Sequence, residues 1–175
     1  MQKGQDSLPK ARMAVSLGVA ALVVALDQLS KLWWVKADLL QMELLPGFLD
    51  LISVDPNSGC VFGLLANQTF LLITITIASL LVILLFLRYL SPATTLGIVS
   101  IGLILGGAVG NLIDRLRFDC VTDFIHIHIH NLLDWPYIFN LADTAIVIGT
   151  FTFIYSLYRA GLFRKVYEHD HKTKD

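Results

Sequence analysis

The stretch FLLITITIASLLVILLFL, from Phe70 to Leu87, carries no charged residue and is almost entirely Leu, Ile, Val, Phe and Thr. A helix crosses a hydrocarbon core of roughly 30 Å with about 20 such residues, so this segment predicts a membrane span. A second uncharged stretch, TTLGIVSIGLILGGAVGNLI, runs from Thr94 to Ile113. Between the two lies Arg88-Tyr-Leu-Ser-Pro92, a short turn that makes them an antiparallel pair. Further out, Asp143 is the sole charge between Trp135 and Tyr158. Near the start, Met13 to Leu26 is apolar, then Asp27 and Lys31 intervene before Leu32-Trp33-Trp34-Val35. The reading is four spans, about 13–34, 70–88, 95–113 and 141–159. A cleavable leader is the competing account of the first, since basic residues precede a short apolar core. No small-x-small cleavage site follows it.

Composition agrees. The chain has 175 residues, 55% hydrophobic and 15% charged, with mean hydropathy +0.68. A soluble domain averages about 25% charged residues, so a soluble enzyme and a disordered tail are both excluded. A net charge of −1 offers no electrostatic case for nucleic acid, and two cysteines are too few for a disulfide framework. One domain, residues 1–175, is expected.

Basic residues set the orientation. Lys3, Lys10, Arg12, Arg88, Arg159, Arg164, Lys165, Lys172 and Lys174 fall on one side of a four-span chain. Only Lys31, Lys36, Arg115 and Arg117 fall on the other. Both termini are therefore expected in the cytoplasm, and the segments of about 36–69 and 114–140 outside. These are not plain loops. Leu44 to Phe62 mixes apolar residues with Pro46, Gly47, Pro56, Asn57 and Gly59, and Asp123 to His130 alternates apolar and polar positions. Both patterns predict short strands on the outer membrane surface. The fold class is thus an all-α membrane protein of four helices with a small extracytoplasmic β-strand region.

A carboxylate within a membrane helix costs on the order of 2.5–3.5 kcal/mol and is by default a functional candidate. Asp27, Asp114, Asp123 and Asp143 gather at the outer ends of the spans, Asp27 ending the first and Asp114 the third. The chain has no GxSxG elbow, HExxH helix or Walker loop. Two aspartates sharing a site hydrolyse a peptide without a metal. They cannot both ionise comfortably, so the pair holds one proton. The ionised member takes a proton from water, and the protonated member polarises the scissile carbonyl. Asp143 sits near a helix N-terminus, and Asp114 has Arg115 beside it, which suggests a salt-bridged structural role. By spacing alone, Asp123 with Asp143 is a candidate pair that competes with aspartates merely capping helices and facing water.

Four ordered motifs sharpen this. Asp27-Gln28-Leu29-Ser30-Lys31 resembles the DQxSK of lipoprotein signal peptidases, the type II signal peptidases of bacteria. Asn57-Ser58-Gly59-Cys60-Val61-Phe62-Gly63 resembles their NxGxAFG segment. Gly106 to Arg115 followed by Val121-Thr122-Asp123-Phe124-Ile125 is similar to a third motif, and Phe139-Asn140-Leu141-Ala142-Asp143 to their FNxAD. The resemblance implies a membrane aspartyl endopeptidase with Asp123 and Asp143 as catalytic dyad. It implies that Asn57, Asn111, Arg115 and Asn140 bind substrate or hold the site, with Gly59 in the same surface motif and Asp27, Lys31 and Asp114 supporting. The implied substrate is a prolipoprotein carrying diacylglycerol on its cysteine, cleaved just before that residue in the bacterial inner membrane. Membrane lipids and globomycin-like cyclic peptide inhibitors are implied partners; no cofactor or metal is implied. Cys60-Val61 departs from the family's small residues, and Asp55-Pro56 precedes Asn57. The rival function is a non-enzymatic small membrane subunit or an ion-binding transporter-like protein.

Weaker signals remain. His126, His128 and His130 share a face if their segment is a strand, which is either a metal-ligand arrangement or a solvated strand face. Cys60 and Cys120 both fall in outer segments, where a disulfide is conceivable. Trp33, Trp34, Trp135 and Tyr137 read as interface anchors.

Overall fold

The computed structural model describes residues 7–53, 69–89, 94–127 and 138–161. In chain order the elements are α1 (Ser7–Ala37), β1 (Gln41–Leu45), β2 (Leu49–Ile52), α2 (Thr69–Tyr89), α3 (Thr95–Phe118), β3 (Ile125–Ile127), β4 (Ile138–Phe139) and α4 (Leu141–Arg159). Three helical segments are long and apolar enough to cross a membrane: Lys10–Ala37, Thr95–Phe118 and Leu141–Arg159. α2 carries a shorter apolar stretch, Ile73–Ile83, among its described residues.

The bounds of α2 and α4 match the expected segments 70–88 and 141–159 to within a residue, and of these two α4 is among the three helices long enough to cross. α1 and α3 are longer than expected. α1 continues well past Asp27, so Asp27 lies within the helix and does not end it. The reason is local: Asp27 and Lys31 stand one turn apart and pair, Nζ to Oδ2 at 2.8 Å, so the charges neutralise each other inside the helix. α3 likewise runs one turn past Asp114 to Phe118. Thr94 caps its start by accepting from the Gly97 N–H at 3.1 Å, and Asp119 ends it in the left-handed conformation, φ 59°.

Glycines set the helix spacing. A Cβ on Gly102 or Gly106 meets the α1 backbone at Ser16 or Ala20 within 2.7 Å. On Gly107 it runs into the carbonyl oxygen of Ala142 in α4. α3 is therefore the central helix, with α1 and α4 seated against its small-residue faces, the packing expected where lipid offers no hydrophobic drive. Buried hydroxyls join the same helices: Ser16 Oγ donates to the Ile98 carbonyl at 2.9 Å and Ser100 Oγ to Thr152 Oγ1 at 3.0 Å.

The four strands form one antiparallel sheet in the order β1-β2-β3-β4. The hairpin β1–β2 turns at Gly47, φ 70°. The β2–β3 pairing, with Leu51 opposite Ile125, ties the chain that follows α1 to the chain that follows α3. Leu51 and Phe124 pack with Trp34, and Met42 and Ile125 border them. The Trp34 and Phe124 rings stack with centroids 5.9 Å apart. Trp34 is 3% exposed, so the expectation of an interface anchor is corrected: it is the core between helix and sheet. Its neighbour Trp33, 51% exposed, faces outward, because adjacent helical positions point about 100° apart. Trp135 and Tyr137 lie outside the described residues.

Gly107→Ala is expected to force α3 and α4 apart and to destabilise the protein by about 1–3 kcal/mol. Gly18→Ala, which meets open space, should leave stability unchanged or slightly raised. Thermal unfolding of the two purified variants in detergent micelles checks both, and equal melting temperatures would contradict the packing argument.

Candidate active site

The site is assembled where α1, α3, the sheet and the start of α4 meet. α4 supplies two residues through its N-terminus. Asn140 is the N-cap: its Oδ1 accepts from the Asp143 N–H at 3.0 Å, and its own N–H donates to Asp143 Oδ2 at 3.3 Å. This reciprocal box satisfies helix-end groups and leaves the Asp143 carboxylate at the positive end of the helix dipole. The third N-terminal donor, the Ala142 N–H, is taken by Asp27 Oδ1 at 3.0 Å. One buried carboxylate of α1 thus anchors the start of α4.

The sheet brings in Asp123. The Phe124 N–H donates to the Phe139 carbonyl at 3.1 Å, and the Phe124 carbonyl accepts from the Ile52 N–H at 2.9 Å. With Ile125 opposite Phe139, Asp123 falls beside the Asn140 cap. A second clamp acts from α3: Asp114 Oδ2 accepts from the Thr122 N–H at 3.0 Å, folding the chain after the helix back onto its last turns.

Two asparagine side chains connect the carboxylates. Asn140 Nδ2 donates to Asp123 Oδ1 at 2.6 Å and to Asn111 Oδ1 at 3.0 Å. Asn111 Nδ2 donates to Asp143 Oδ1 at 2.7 Å. The amide orientations follow from the partners. Asn140 must present its oxygen to the Asp143 N–H, so its nitrogen faces Asp123. Asn111 must present its oxygen to Lys31, whose Nζ donates to it at 3.2 Å.

Lys31 is 4% exposed, between Asp27 at 0% and Asp114 at 1%. It contacts both carboxylates, at 2.8 and 3.0 Å, so its three donors are all used. Gln28 Nε2 completes the cluster, donating to Asp114 Oδ1 at 2.9 Å and to Asp27 Oδ2 and the Gly110 carbonyl at 3.2 Å. Gly110 leaves the necessary room, since a Cβ there would lie 2.7 Å from Asp27 Oδ2.

Electrostatics separate Asp123 from an ordinary surface carboxylate. Burial first, and the neighbouring Asp143 second, raise its pKa from the usual carboxylate value to about 7. The Asn140 bond, Lys31 and Arg115 oppose that rise. A carboxyl group at about 7 exchanges its proton readily near neutrality, the property required of an acid–base catalyst.

Asp27, Lys31, Asn111, Asp114, Asp123, Asn140 and Asp143, picked out from sequence, therefore form one connected network. Arg115 stands beside it, half-buried, its Nη1 3.4 Å from the Asn111 carbonyl. The expected Asp114–Arg115 pairing is corrected: Asp114 pairs with Lys31, because successive helical residues do not face each other. Asn57 and Gly59 lie outside the described residues, as do His128, His130 and Cys60, so the three-histidine and disulfide readings fall there too. His126 lies on β3 opposite Asp50. Gln28 was not singled out by sequence reasoning, although its place between Asp27 and Lys31 was a signal. α1, the segment for which a cleavable leader was the competing account, holds site residues and packs on α3.

Comparison with known proteins gives a consistent result. A family pattern described as Signal peptidase (SPase) II matches residues 19–159. A lipoprotein signal peptidase of Moorella thermoacetica is 44% identical over 142 residues, covering 79% of this chain and 89% of the relative. Another, of Syntrophotalea carbinolica, is 39% identical over 158 residues, covering 87% and 96%. A solved bacterial membrane enzyme, determined by the in meso method at 2.3 Å, superposes with a TM-score of 0.70 at 30% identity, covering 83% of this chain and 88% of that one. Multi-pass helices, a half-buried two-aspartate site and these similarities over most of the length lead to one conclusion: the chain belongs to the signal peptidase II family of membrane aspartic peptidases.

Proposed function

We propose that this chain removes the signal peptide from diacylglyceryl-modified prolipoproteins, cleaving the bond just before the lipidated cysteine, with Asp123 and Asp143 as the catalytic dyad. The single observation that carries this reading is the two-asparagine bridge: Asn140 Nδ2 donates to Asp123 Oδ1 and to Asn111 Oδ1, and Asn111 Nδ2 donates to Asp143 Oδ1, so two linked side chains hold both carboxyl groups.

The bridge also distinguishes the two acids. Asp143 receives an N–H on each carboxylate oxygen, from Asn111 and from the Asn140 backbone. Among the described residues Asp123 receives only the Asn140 donor, on Oδ1. Donors stabilise the anion, so the shared proton belongs on Asp123 Oδ2 and the charge on Asp143. Asp143 takes a proton from a water molecule as its oxygen bonds to the scissile carbonyl carbon. Asp123 gives its proton to the carbonyl oxygen, which would otherwise become an oxyanion. When the carbon–nitrogen bond breaks, the proton held by Asp143 passes to the departing amine and Asp123 recovers its own from the collapsing diol. The titration belongs to the pair as a whole. Arg115 and the surface motif of Asn57 and Gly59 are assigned to substrate binding, and Asp27, Lys31, Asn111, Asp114 and Asn140 to holding the acids.

Depth supports the assignment. All four helices are proposed to span a bacterial inner membrane, with both termini in the cytoplasm and the site facing outward, in a single peptidase domain over residues 1–175. A diacylglyceryl group buries methylenes at about 0.8 kcal/mol each and so holds the bond beside it near the headgroups. The dyad stands at the matching end of α4. Contacts with membrane lipid and inhibition by globomycin-like cyclic peptides follow from this reading.

Asp123→Asn and Asp143→Asn are each expected to abolish cleavage of a lipidated precursor, by at least about 10³-fold, while leaving membrane insertion intact. Mass spectrometry of the product checks this, and substantial turnover by either variant overturns the dyad. The pH profile is a second expectation. Turnover needs the proton on Asp123, which is present below a pKa of about 7 and lost above it. The rate should therefore fall on the alkaline side, roughly tenfold per pH unit, and a rate still rising through pH 8 would contradict the assignment.

A further inference from the structure

We propose that Lys31 is a positioning residue for the dyad: its ammonium, seated by Asp27 and Asp114, fixes the Asn111 amide through which both reacting carboxyl groups are held. The inference rests on the dyad reading and extends it one layer inward.

The geometry carries the argument. Asn111 Oδ1 accepts from Lys31 Nζ at 3.2 Å and from Asn140 Nδ2 at 3.0 Å. Its nitrogen then has one place to point, Asp143 Oδ1 at 2.7 Å. The second hydrogen of Asn140 Nδ2 is directed to Asp123 Oδ1 at 2.6 Å. Lys31 thus reaches both acids without touching either. An ammonium on a carbonyl oxygen polarises the amide and strengthens the N–H bond at its other end. Removing it leaves Asn111 with one donor in place of two and weakens the restraint on the amide's orientation.

Lys31 itself has no slack. Its partners Asp27 and Asp114 are further tied to the Ala142 and Thr122 N–H groups. The cation is therefore referenced to the start of α4 and to the chain leading into Asp123, the two segments whose spacing sets the dyad. The charged groups bearing on Asp123 are Asp143 from α4, Lys31 from α1 and Arg115 from α3; Asp123 in turn acts on Cys120, whose thiol is raised by burial and by Asp114, Asp119 and Asp123. Of these, Lys31 and Arg115 lower the proton affinity of Asp123, so loss of Lys31 raises it.

The test uses the full chain in lipid nanodiscs, with a synthetic diacylglyceryl-cysteine peptide as substrate. Two variants are compared with the native protein: Lys31→Gln, and Lys31→Gln with Asp114→Asn, which removes one cation and one anion together and keeps the cluster's net charge. The readouts are the split of kcat from KM and the infrared titration of the protonated carboxyl band, assigned by its loss in Asp123→Asn. The expected result is a kcat lowered about tenfold or more, KM little changed, and the Asp123 titration displaced upward by about one pH unit. A folded variant with native kcat and titration overturns the proposal. Failure of both variants to fold overturns it as well, by assigning Lys31 to the scaffold alone. If Asp123→Asn keeps native activity, the dyad reading itself has failed, which is a separate outcome.

Discussion

The ammonium of Lys31 between the carboxylates of Asp27 and Asp114 is the interaction on which the rest of the site depends. Two anions and one cation, all nearly inaccessible to water, are tolerable because each carboxylate oxygen meets at least one donor. Asp27 takes the Ala142 N–H, Asp114 takes the Thr122 N–H, and Gln28 reaches both. Such a cluster is weak evidence for stability in itself, since desolvation offsets most of the Coulomb gain. Its value lies in geometry. Removing one partner from a buried pair costs about 3–5 kcal/mol, so α1, α3 and the start of α4 hold a single mutual arrangement.

The sheet solves a different problem. Asp123 lies in a connection, where the chain would ordinarily be mobile. Backbone bonds on both sides of Phe124, and the stacking of its ring on Trp34, fix that connection to α1 and to α4. The small sheet and the tryptophan thus give a loop residue the precision of a helical one. Asp143 needs no such help, because the capping box of α4 sets its backbone directly. The two acids reach one site by separate physical routes, and the asparagines join them.

The glycines of α3 link packing to chemistry. Gly102, Gly106 and Gly107 bring the neighbouring backbones within contact distance. Gly110, one turn further along, gives the same closeness to a carboxylate. A larger residue there would displace Asp27, and with it the anchor on Ala142. The same helix that packs by small residues therefore ends by holding Asn111 and Asp114 in the polar cluster.

Much of this was readable from the chain alone. Uncharged runs give helices because lipid leaves backbone groups no other partner, and period-two alternation gives strands. The candidate acids stood out because carboxylates near lipid need a reason to be there. What the sequence could not express was pairing. That Asp114 meets Lys31 and not its neighbour Arg115, and that Trp34 is core rather than surface, depend on residues some 80 or 90 positions away. Local periodicity states which face a side chain takes; only the packed helices and the sheet register decide what waits on that face, because hydrogen bonds and ring contacts act over a few ångströms of space and are blind to distance along the chain.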